Sequence, residues 1–161
     1  MKKSEELRQQ LEALKKEVLV VVLRCGFPEF TSDPDYRELS RKQRKLENEL
    51  RYWEAREVRP YCNLHCFTDV HPYEVVREVS EKCVEVRPMG HDLVKAPKEF
   101  HPGGFNGHFS DNRAQEHHYW SIKGQPTVRV RWSEAKKQWQ GLGGQRFVMA
   151  AQPRYFYDYN F

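Results

Sequence analysis

The stretch Phe67 to Met89, FTDVHPYEVVREVSEKCVEVRPM, limits what this chain can fold into more than any other. A histidine-proline step opens two β-branched runs, Val75, Val76 and Val79 in the first and Val84 and Val86 in the second. Ser80-Glu81-Lys82 lies between them. Two such runs joined by a few polar residues predict an antiparallel hairpin at the heart of a β domain.

The 60 residues before the domain carry a different period. Leu7, Leu11, Leu14, Val18 and Val21 recur at alternating spacings of four and three, a heptad seam with a charged back face. Ser4 is placed to cap this first helix, and Gly26 followed by Pro28 stops it. Asp33, Pro34 and Asp35 then form a second helix start. Tyr36, Leu39, Gln43, Leu46, Leu50 and Trp53 continue at helical spacing up to Pro60. Residues 1–60 are therefore expected to form an antiparallel helical hairpin, resembling a coiled coil, as an arm on the rest. Such an arm braces the fold, makes a homodimer, or binds a partner.

From residue 61 the chain reads as a small antiparallel sheet or partly open barrel, giving an α+β protein overall. Residues from about 90 to 114 lose all periodicity, and HPGGFNGHF (His101 to Phe109) predicts an irregular loop of the kind that often carries function. Strand signals return at Tyr119, Trp120 and Ile122. In Thr127 to Trp132 the valines alternate with Arg129 and Arg131, and further strands follow at Trp139 and at Arg146 to Ala151. The aromatic tail from Tyr155 to Phe161 is expected to form an edge strand or seal the core.

Charge gives only a mild bias. Residues 1–60 hold 14 Lys and Arg against 12 Asp and Glu, and residues 61–161 hold 13 against 11. No basic tail stands out, so nucleic-acid contact is permitted rather than demanded. Arg37, Arg41, Lys42, Arg44, Lys45 and Arg51 give the second helix a basic face, but Glu38, Glu47, Glu49 and Glu54 are interleaved with it along the sequence. The segment Met1 to Gln10 is charged, unlike a secretory leader, and Val18 to Leu23 is too short an apolar run to span a bilayer. These features, and four cysteines at irregular spacing, predict a cytoplasmic chain with reduced thiols.

Possible chemistry centres on the histidines and cysteines. Cys62, Cys66, His71 and His101 supply zinc-ligand types, but Cys62 and Cys66 are spaced C-x3-C without a second pair, and His65 and Cys66 point to opposite faces of a strand. Asp69 beside His71 has the elements of an acid-base pair, and with His101 and His108 the set sketches a metal-dependent enzyme. The plainer reading is that Asp69 holds the turn before Pro72. No nucleophile, phosphate loop or catalytic set is complete, so no cofactor is expected.

Residues from about 64 to 161 resemble a widespread group of small phage and mobile-element proteins. In that group a step like Thr68-Asp69-Val70-His71-Pro72 leads into a valine-rich hairpin. Its members end in a tryptophan strand and a Tyr-Asp-aromatic tail, here Trp139 and Tyr157-Asp158-Tyr159-Asn160-Phe161. The resemblance implies a mobile-element origin and an accessory role within a host cell, such as anti-CRISPR or other anti-defence activity. The sequence-based expectation is thus a non-enzymatic protein that binds and blocks a host protein or ribonucleoprotein complex. Arg37, Arg41, Arg44, Lys45, Arg51, Phe105, Arg129 and Arg131 are its candidate contacts, with nucleic-acid binding as the alternative.

Overall fold

A computed structural model of the chain describes residues 2–27, 29–96, 100–103, 108–110 and 115–159. The chain divides into two compact units, residues 1–55 and 56–161.

In the first unit, helix α1 spans Lys3–Cys25 and helix α2 spans Pro34–Arg56, joined through a 3-10 turn at Glu29–Ser32. The α1 seam is Leu7, Leu11, Leu14 and Val21, all buried. The helices run antiparallel, because Arg8 pairs with Glu54 at 2.7 Å near one end while Arg24 reaches Asp33 and Asp35 at 3.1 and 3.0 Å near the other. Asp33 caps α2 as expected, its Oδ1 accepting the amide N–H of Asp35 at 2.8 Å and of Tyr36 at 3.2 Å. Ser4 does not cap α1. The N-cap is Lys2, with no side-chain bond, and Ser4 lies buried in the first turn instead.

In the second unit the strands are β1 (Tyr61–His65), β2 (Val70–His71), β3 (Tyr73–Ser80), β4 (Cys83–Lys95), β5 (Phe100–Pro102), β6 (His108–Ser110), β7 (Glu116–Ser121), β8 (Val128–Ser133), β9 (Gln138–Gln140) and β10 (Arg146–Ala150). Strands β1, β3, β4, β8, β9 and β10 pair in that order, and β10 returns antiparallel to β1 with Tyr61 opposite Ala150. Among the described residues this is a closed, six-stranded antiparallel barrel. Alternation fills it: Cys62, Val84, Val86, Val130, Trp132, Trp139, Phe147 and Met149 are all buried. Trp132 and Trp139 meet edge to face at 5.8 Å.

The central hairpin forms where the sequence places it, but two register shifts break its pairing at Val76 and Val79. Both valines face solvent at these bulges, so only part of the valine run serves the core. A larger departure follows. The stretch expected to be irregular from residue 90 continues β4 as far as Lys95, with β7 as its partner from Met89↔Ser121 to Lys95↔Glu116. The period is lost there because the strand changes partners and passes beneath Trp120. A Cβ on Gly90 would lie 2.3 Å from Trp120 Cε2, so the crossing needs glycine. Within HPGGFNGHF, His101 and Pro102 belong to a short ribbon in which β5 pairs with β6, so the stretch is less irregular than expected.

Candidate functional site

The outward face of α2 is the most distinctive surface of the chain. At about 100° per residue, Arg37, Arg41, Arg44, Lys45 and Arg51 fall within an arc of roughly 120°, and no α2 carboxylate lies inside it. All five side chains are exposed. The acids interleaved along the sequence are separated from them in space. Glu54 is held by Arg8, Asp35 by Arg24, and Glu38 by Lys42 at 2.6 Å; Glu47 accepts the Gln43 amide at 2.9 Å.

Arg41, Arg44, Lys45 and Arg51 have no ion-pair partner among the described residues, and Arg37 only donates its Nε to the Thr31 carbonyl at 3.3 Å. A shallow groove of about 520 Å³ runs along this face, lined by Tyr36, Arg37, Ser40, Arg41, Arg44, Lys45 and Asn48. From Arg37 to Arg51 the row is about 21 Å long at ~1.5 Å per residue. It is a rigid line of donors whose charges are not neutralised locally, suited to a row of phosphates. Ser40 and Asn48 went unremarked in the sequence. A helical-wheel placement of the acids, rather than their order along the chain, would have revealed the whole face.

Both barrel arginines are exposed, but Arg129 is engaged in an ion pair. Arg129 gives its Nε to Glu85 at 3.2 Å, and Arg77 grips the same carboxylate at 3.0 Å, so the three form a ladder across β3, β4 and β8. Arg131, one alternation further along β8, has no ion-pair partner among the described residues. Phe105 lies outside the described residues.

The proposed metal ligands are not brought together, and the described residues contain no group of three or more His, Cys, Asp or Glu side chains able to hold a metal ion. Cys62 is fully buried in the barrel, where desolvation pushes its thiol up to about 12 and disfavours the thiolate a metal would need. Cys66 is exposed, and His101 lies on the separate β5–β6 ribbon. The Asp69 carboxylate accepts the Thr68 hydroxyl at 3.4 Å and, from the C-terminal tail, the Asp158 amide N–H at 3.1 Å, while the local turn is closed by the backbone bond from Cys66 N–H to the Asp69 carbonyl at 2.9 Å.

His71 belongs to a cluster that the sequence did not reveal. Tyr155 stacks on His91 with ring centroids 3.7 Å apart, and His117 and His71 meet the same ring edge-on at 4.9 and 5.6 Å. The tail carrying Tyr155 is strapped down along its length. Arg154 donates its amide N–H to Asn63 Oδ1 at 3.0 Å, Tyr155 to the Tyr119 hydroxyl at 2.8 Å, and Phe156 and Val70 exchange two backbone bonds at 2.9 Å.

Burial lowers the pKa of both His91 and His117, and their neighbouring histidines (His71 for His91, His91 for His117) lower it further. The unfolded chain therefore binds protons that the folded cluster resists. The stability this contributes is fully present above the ordinary histidine value of 6.5 and is lost as pH falls below it. Thermal melts should be flat from pH 8 to 7 and fall below about pH 6.5, and His117→Phe should flatten that acid limb. A His117→Phe protein with an unchanged acid limb would locate the proton uptake elsewhere.

Among the described residues no helix is long and apolar enough to cross a membrane. Comparison with protein-family models, with curated proteins and with solved structures found no match to this chain.

Proposed function

We propose that this chain is a non-enzymatic binding protein that docks on a nucleic-acid-containing complex through the outward face of α2. The observation that carries this reading is the separation of charge on that helix. Five exposed cations share one arc while the neighbouring acids are turned aside, most of them into ion pairs. An ordinary solvated helix mixes both signs around its circumference, whereas here one side is left with uncompensated positive charge.

The proposed target is a ribonucleoprotein of a host defence system, in keeping with the mobile-element origin expected from the sequence of residues 64–161, and it is occupied and blocked rather than chemically altered. The barrel then acts as a stable body that carries the hairpin.

The direct test is fluorescence anisotropy with a short labelled duplex as the salt concentration is varied. Engagement of about four phosphates gives a slope of log affinity against log salt near −3 to −4. A protein that leaves the duplex unbound at 50 mM salt does not use this face for nucleic acid.

A further inference from the structure

Strand β9 has only three residues and covers β8 from Arg131 to Ser133. The first half of β8, Val128 to Val130, pairs with β4 on one side but has no β9 residue opposite on the other. Beside this break in the wall lies the β9–β10 turn, Gly141 to Gln145. The turn is preshaped: Gly143 donates its amide N–H to Gln145 Oε1 at 3.0 Å, and Gly141 donates to the Gln145 carbonyl at 3.0 Å. A Cβ at Gly141 or Gly143 would come within 2.7 or 2.8 Å of the Gln145 amide, so the side chain lies flat against the turn.

Between turn and strand is a cavity of about 650 Å³. Leu64, Tyr73, Trp132 and Phe147 contribute its apolar wall, and Tyr73 packs edge to face on Phe147 at 5.4 Å. Two apolar side chains among its lining residues face water: Leu142 is fully exposed and Val128 is 44% exposed. Arg129 and Arg131 also line it, and among the described residues no carboxylate does. Arg129 is already engaged with Glu85, whereas Arg131 has no ion-pair partner among the described residues. Burial pushes the Tyr73 phenol above its ordinary value, so it remains a neutral hydrogen-bond donor.

We infer that this cavity is a binding site for a small amphipathic anion, an apolar body bearing one carboxylate or similar group. Sites of this class are concave, mostly apolar and of this size, with few polar groups that fix orientation, and they recur at the mouths of barrels. The apolar body fits against Phe147, Trp132 and Leu142, and Arg131 takes the anionic group. The inference is independent of the role given to α2, because it uses only barrel residues.

Calorimetric titration with octanoate, octanol and octylammonium tests it. Octanoate should bind one to one and at least about tenfold more tightly than octylammonium, a difference of ~1.4 kcal/mol. In Arg131→Gln that preference should vanish while octanol binding is unchanged; in Leu142→Ser all three should weaken. Arg41→Glu/Arg44→Glu, altered only on the helical hairpin, should bind octanoate normally. No saturable binding, equal affinity for octanoate and octylammonium, or a preference that survives Arg131→Gln would overturn the assignment. Loss of octanoate binding in the hairpin variant would move the site to α2 and overturn it as well.

Discussion

Replacing Trp139 with alanine is expected to lower the melting temperature of the barrel by at least about 10 °C. Trp139 is 1% exposed and is the largest fully buried side chain of the barrel. It is the central residue of β9, the short strand that lies between β8 and β10 in the barrel wall. Truncation removes its contact with Trp132 and leaves a cavity that neighbouring strands cannot close without breaking register. Aromatic-to-alanine changes of this kind cost about 3–5 kcal/mol, a large part of a typical domain's total of ~5–15 kcal/mol. Leu142→Ala is the matched comparison, since that side chain is wholly in solvent and its loss should shift stability by less than about 0.5 kcal/mol. Thermal melts followed by near-ultraviolet circular dichroism report both. Equal shifts in the two variants would mean that the barrel core does not limit stability.

The second large effect concerns binding. Arg41→Glu/Arg44→Glu should weaken duplex binding by at least about 30-fold at 50 mM salt, through two lost charge-assisted bonds and two new repulsions. The same variant should show a shallower salt dependence, because fewer counterions are released. Glutamate is nearly as good a helix former as arginine, and both positions are exposed, so the hairpin's helicity should be unchanged. Lys123→Glu/Lys136→Glu makes the same change in net charge on the barrel. If that variant loses as much affinity, general electrostatics rather than the α2 face governs the contact.

Much of the architecture was legible because it rests on local periodicity. The leucine seam of α1, the Asp33 cap and the valine hairpin each announce themselves within a few residues. The failures share a physical origin in partners distant in sequence. The sequence around Gly90 resembles the start of a loop because nothing near it shows that Trp120 packs over its backbone. His91, His117 and Tyr155 carry no shared local pattern, yet pairing of β4 with β7 and the strapped tail place them in contact. The basic face of α2 is legible from helical geometry alone, and what only the structure adds is that Arg8 and Arg24 of the opposite helix hold Glu54 and Asp35. Arg129 is the converse case, since its ion-pair partner Glu85 lies across the sheet on β4.

Barrel closure also fixes the order in which the chain becomes protein-like. Tyr61 and Ala150, paired where β1 meets β10, are 89 positions apart. The hairpin of α1 and α2 can form from near neighbours as soon as it emerges during synthesis, and so can β3 with β4. The wall cannot close until residue 150 has been made, and the cost of bringing such distant segments together is met late. Until then β1 presents a free edge with Cys62 and Leu64 uncovered, so the nascent chain is most vulnerable to misassociation just before its last strand arrives.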